Sequence, residues 1–154
     1  MGNTLSAVLS IAIDKEQEAY DFYMDLANLV EDKEAKGTLK YIAQEEIKHK
    51  EFLETCQKGQ FCANVLKMDA AIDYKIVEHM EKVDIKKNMK SAEVYLVAAN
   101  RELNAYNFYK SLADSYPAGE AQDLLLKMAN EEKKHKEQME YLFTNTAYPQ
   151  TAGG

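Results

Sequence analysis

The chain has 154 residues, a formal net charge of -7, 46% hydrophobic and 29% charged residues, two Pro and six Gly. That length suits one domain with a substantial core of its own, and the composition points to a mostly helical protein. The acidic balance argues against a nucleic-acid binder, which needs a clustered basic surface, and no apolar run approaches the length of a membrane span. No secretory pattern opens the chain. Cys56 and Cys62 make no Cys-x-x-Cys and no metal spacing, so a reducing, cytoplasmic setting is expected.

The first predicted helix, about 4 to 30, carries Leu9, Ile13, Glu16, Tyr20, Tyr23, Ala27 and Val30 at steps of three and four, the spacing of one helix face. The second, about 33 to 57, places Leu39, Ile42, Glu46, His49, Leu53 and Cys56 on one face. Residues 58 to 90 are too long for a tight turn; they are expected to form a long crossover with a short helix near 69 to 82. A third helix, about 91 to 115, repeats the stripe with Tyr95, Ala99, Glu102, Tyr106, Tyr109 and Ala113. The fourth, about 119 to 143, repeats it with Leu125, Met128, Glu132, His135, Met139 and Leu142. Turns around Asp32 and Pro117-Ala118-Gly119 make each pair an antiparallel hairpin. The domain thus spans 1-144, and residues 145-154 form a flexible polar tail.

The halves are copies. Glu16 and Glu46 are 30 residues apart, as are Glu102 and Glu132, and an offset of 86 also relates His49 to His135, Tyr20 to Tyr106 and Tyr23 to Tyr109. Each half therefore supplies one lone Glu and one Glu-x-x-His, all within apolar stripes. Four carboxylates in a bundle core are untenable unless protonated, paired with cations or bound to metal, and no Lys or Arg occupies those stripes. Two divalent ions would balance them while two imidazoles complete the shells, which is the ligand set of a carboxylate-bridged dinuclear site. Mixed carboxylate and imidazole ligation suits iron or manganese better than structural zinc. Glu45 and Glu131 fall one position off the stripe and are expected to face solvent or to support the ligands; His79 lies outside the repeat. The tyrosines following each lone Glu suit either core packing or hydrogen bonding to the carboxylates.

The stretches Glu16-Gln17-Glu18-Ala19-Tyr20-Asp21-Phe22-Tyr23, Glu45-Glu46-Ile47-Lys48-His49, Glu102-Leu103-Asn104-Ala105-Tyr106-Asn107-Phe108-Tyr109 and Glu131-Glu132-Lys133-Lys134-His135 resemble the rubrerythrin family of the ferritin-like superfamily. The resemblance implies an all-α, ferritin-like four-helix bundle holding two iron ions per chain. Glu46 and Glu132 would bridge the metals, Glu16 and Glu102 would be terminal carboxylates, and His49 and His135 terminal imidazoles. Two features depart from the family. No four-cysteine set is present for a rubredoxin-like iron, so electrons would come from a separate donor such as a rubredoxin. Ala105 also stands where the family has a further carboxylate, which bears on peroxide reduction.

The function expected from this pattern is a diiron oxidoreductase reducing peroxide or oxygen, with Tyr23 and Tyr109 as proton-delivering catalytic groups. The alternative is iron handling, as ferroxidase, store or carrier, without turnover; a metal-free structural bundle is the third possibility. A homodimer is expected by analogy with other ferritin-like bundles.

Overall fold

A computed structural model describes residues 2–59 and 71–148. Its long helices are α1 (Gly2–Leu29), α2 (Lys33–Gln57), α3 (Ser91–Asp114) and α4 (Glu120–Ala147), and the described residues contain no strand. All four expected helices are present and pack as a ferritin-like four-helix bundle. The Asp32 carboxylate accepts from the Ala35 amide at 2.8 Å and so starts α2 one residue later, using the N-cap preference of a short acidic side chain. Gly119, at φ 156° and ψ -171°, occupies a region open essentially to glycine and separates α3 from α4.

Two expectations about boundaries change. Helix α4 continues to Ala147, three residues into the segment assigned to the tail, while 149–154 lie outside the described residues. No helix spans the described part of 69 to 82; only a 3₁₀ turn, Val77–His79, occurs there. The reason lies in how its backbone amides are satisfied. Asp73 Oδ1 accepts from the Lys75 amide at 3.0 Å while Lys75 takes φ 52°, a conformation that ends helical winding. The amides of Ile76 and Val77 go to Glu140 Oε2 at 2.7 and 2.9 Å, and that of Ile72 to Glu137 Oε2 at 2.8 Å. Carboxylates of α4 thus replace carbonyls of the crossover as hydrogen-bond acceptors.

Lys136 completes this anchor. Its ammonium, 1% exposed as a residue, reaches Asp73 Oδ1 at 2.7 Å, Glu78 Oε1 at 2.9 Å and Glu140 Oε2 at 3.1 Å. Burial alone would lower its pKa, but these carboxylates outweigh that and hold it above the usual lysine value. Removing the cation strands a fully buried Glu140 among like charges, and loss of one partner of a buried pair costs on the order of 3 kcal/mol. Lys136→Met is therefore expected to lower stability in urea by about that amount. Its repeat counterpart Lys50 makes a single 2.6 Å bond to Gln17 Oε1, and Lys50→Met should cost less than about 1 kcal/mol. Equal losses would show that the crossover contacts contribute nothing.

The apolar interior divides in two. One cluster gathers Tyr23, Leu26, Leu39, Ile42, Val94 and Met139; the other gathers Val8, Leu9, Leu53, Tyr109, Leu125 and Met128. Each draws on all four helices, from opposite ends of the bundle. Helix α2 ends in the second cluster and α3 starts in the first, so the end of α2 and the start of α3 lie at opposite ends of the bundle. Cys56 is buried where the stripe requires, but it is disulfide-bonded instead of a free thiol; Cys62 lies outside the described residues. The cysteines therefore give no support to the expected reducing compartment. None of the described helices is long and apolar enough to cross a membrane.

Candidate metal centre

Between the two clusters lies a polar layer. Helix α1 contributes Glu16, α2 Glu46 and His49, α3 Glu102, and α4 Glu132 and His135, none more than 8% exposed. Residues three apart on a helix share a face, so each Glu-x-x-His turns both side chains inward. Across the hairpins the ligand atoms then converge. Glu16, Glu46, His49 and Glu132 form one group and Glu46, Glu102, Glu132 and His135 another, with the ligand atoms of each group within 4.8 Å of one another. Glu46 and Glu132 belong to both.

Both imidazoles aim Nδ1 into the layer. His49 Nδ1 is 2.8 Å from Glu16 Oε1 and 3.4 Å from Glu132 Oε1. His135 Nδ1 is 2.6 Å from Glu46 Oε1, 3.7 Å from Glu102 Oε1 and 3.8 Å from Glu132 Oε2. The rings stack with centroids 5.2 Å apart and planes 11° from parallel. At 2.6 Å the His135 and Glu46 atoms are close, yet they are misaligned for a hydrogen bond. Both oxygens of Glu46, both of Glu132, Glu102 Oε2 and His135 Nδ1 are buried with no hydrogen-bond partner. Buried polar atoms are nearly always partnered. Such a concentration of orphaned acceptors around shared points is what a pair of cations would satisfy, and the carboxylate and imidazole donors suit iron or manganese. Ala105, one turn after Glu102, adds no carboxylate, leaving one unshared Glu in each group.

Without metal, protons take part of that role. Burial, followed by the charges of Glu132 and Glu46, pushes Glu16 and Glu102 well above the ordinary carboxylate range. Burial works to raise Glu132 as well, but the close approach of Glu102 and of the His135 and His49 rings outweighs it and holds this carboxyl well below that range. Burial disfavours the two imidazolium ions, yet the surrounding carboxylates overcome it and raise both His49 and His135 well above the usual value.

The tyrosines sort by position. Tyr23 and Tyr109 are buried, whereas Tyr20 and Tyr106 are half-buried and pack against the two clusters. Tyr23 donates its hydroxyl to Glu102 Oε1 at 2.6 Å, and Tyr109 donates to the Ala12 carbonyl at 3.3 Å. The carbonyl of Ala98, the repeat counterpart of Ala12, lies 3.4 Å from the Tyr23 hydroxyl. Glu45 and Glu131 part company. Glu45 pairs with Lys48 at 3.0 Å, while Glu131 places Oε1 at 3.6 Å from His49 Nε2. His79 is exposed on the crossover, outside the layer. Sequence reasoning missed the buried Lys136 and Glu140, because the same residue types recur as Lys50 and Glu54 in the other half.

No curated protein and no solved structure matches the chain. The family model described as Rubrerythrin matches residues 2–56, which hold Glu16, Glu46 and His49. The chain is thus similar to the rubrerythrin family over its first helical hairpin.

Proposed function

We propose that the chain is a non-haem diiron oxidoreductase that reduces peroxide, or oxygen, with electrons from a separate donor protein such as a rubredoxin. The observation that carries this reading is the sharing of Glu46 and Glu132, with all four of their oxygens unpartnered, between two Glu-His groups. In this reading Glu46 and Glu132 would be the ligands shared by two iron ions, Glu16 and Glu102 would be the unshared carboxylates, and His49 and His135 would offer Nδ1. When bound, such a pair supplies two electrons and Lewis acidity for cleaving an O–O bond.

The chain's own residues provide the rest. The apolar clusters on either side keep bulk water from the layer, which strengthens every charge interaction within it. Burial and the Glu102 charge raise Tyr23 well above the usual phenol value, so its proton stays in place at Glu102 Oε1. Burial and Glu16 act likewise on Tyr109. Tyr23 is the better placed to give a proton to a departing oxygen, since it already touches a ligand; Tyr109 touches a main-chain carbonyl.

Elemental analysis followed by anaerobic reduction and peroxide addition tests this function. Two irons per chain and rapid, stoichiometric reoxidation are expected. Tyr23→Phe should slow that reoxidation by about 10²-fold, the scale of a lost proton donor, and Tyr109→Phe by much less. Manganese in place of iron would redirect the assignment to catalase-like chemistry. Loading far beyond two irons per chain, without peroxide turnover, would make the protein an iron handler.

A further inference from the structure

The internal repeat makes each half of the centre a control for the other. Under the offset of 86, Glu16, Tyr23, Glu45 and His49 correspond to Glu102, Tyr109, Glu131 and His135. The structure breaks this symmetry in two places. Tyr23 donates to Glu102 at 2.6 Å, whereas Tyr109 donates to the Ala12 carbonyl, and among the described residues no tyrosine bonds Glu16. On the other side Glu131 Oε1 faces His49 Nε2 at 3.6 Å, its Oε2 being held by Lys134 at 2.9 Å. Glu45, the counterpart, is turned to Lys48 at 3.0 Å, and no carboxylate of the described residues lies within ion-pair reach of His135 Nε2.

Each difference acts on ligand strength. A neutral imidazole that offers Nδ1 to a metal must keep its proton on Nε2. A carboxylate facing that proton selects the tautomer, orients the ring and makes Nδ1 a stronger donor. His49 Nε2 has such a carboxylate within ion-pair range, at 3.6 Å, from where a small movement of Glu131 would close a hydrogen bond. In the other half, the Glu102 oxygen that accepts the Tyr23 proton has less electron density to offer a cation. The Glu16 and His49 ligand atoms are also already 2.8 Å apart, against 3.7 Å for Glu102 and His135, so they need less rearrangement to meet one ion.

Resting on the dinuclear reading above, we infer that the two metal positions are inequivalent and fill in order, the Glu16–His49 position first. Glu131 is the positioning residue for His49, and the Tyr23 hydroxyl weakens Glu102. The two halves carry the same ligand types, so the order is set by these outer contacts.

Anaerobic titration of the metal-free full chain with Mn²⁺, followed by electron paramagnetic resonance, reads this directly. At one equivalent a mononuclear six-line signal of about one spin per chain is expected, giving way to an exchange-coupled spectrum as the second equivalent binds. Glu131→Gln should weaken the first step by about 10–100-fold, the usual effect of losing a ligand's outer partner, and Glu45→Gln should move neither step. Tyr23→Phe, which leaves Glu131 intact, should strengthen only the second step. Coupled signal from the first additions would overturn the ordering, as would identical titrations for Glu131→Gln and Glu45→Gln. No manganese binding by the wild-type chain would instead overturn the metal centre itself.

Discussion

Glu46→Ala is expected to abolish the dinuclear centre while leaving the bundle folded. Glu46 lies in both ligand groups, is 0% exposed, and has no hydrogen-bond partner on either oxygen. Its removal takes a ligand from two ions at once, so affinity should fall by more than the roughly 10–100-fold typical of an outer contact. The metal count should drop from two per chain to one at most. Without metal the same change removes the carboxylate nearest His135 Nδ1 but also relieves the repulsion it exerts on Glu16 and Glu102, so metal-free Glu46→Ala should keep the helical circular dichroism of the metal-free parent. Glu132→Ala should lose metal in the same way. Two retained metal ions in either variant would remove these residues from their bridging role.

The metal-free protein should become less stable as pH rises from about 5 to 8. Glu16 and Glu102 are raised well above their ordinary value of 4.5, so above that pH the folded chain holds protons that the unfolded chain has released. His49 and His135 are raised well above 6.5, and their contribution is complete below that value and lost as pH climbs through the folded values. Glu132 has the opposite shift. Being lowered from 4.5, its contribution is lost only as pH falls below that value, which leaves it constant in this window. Each proton held in excess by the folded form costs about 1.4 kcal/mol of stability per pH unit.

Metal reverses the trend, since it competes with those same protons and its affinity rises with pH. At free metal 100 times the dissociation constant, each ion adds about 2.7 kcal/mol. Urea unfolding of chelator-treated and metal-loaded protein at pH 5.5 and 8 should therefore give slopes of opposite sign. A metal-free stability that rises over this range would contradict the proton-for-metal account.

Much of this architecture was legible because two periodicities coincide. The stripe spacing of three and four defines helix faces, and the offset of 86 repeats that face with its interruptions intact. A Glu and a His recurring inside an otherwise apolar stripe carry their own energetic argument, and all six such positions proved buried in one layer. The crossover behaved differently. Local propensity suggests a short helix near 69 to 82, but the described part is held as turns by Glu137, Glu140 and Lys136, residues more than 50 positions away. The cysteine pattern also misled: spacing gives no sign of the bond at Cys56.

By itself, then, the sequence determined the helices, their pairing into hairpins and the six inward-facing Glu and His residues, because helical periodicity and the cost of burying charge are properties of local spacing and residue type. Only the tertiary structure decided which members of each repeated pair differ. Lys136 is buried and Lys50 only half-buried, Glu131 faces His49 while Glu45 turns to Lys48, and Tyr23 bonds Glu102 while Tyr109 bonds a carbonyl. Identical residues at repeated positions have identical local preferences; the neighbours brought by the crossover and the opposite hairpin are what set them apart.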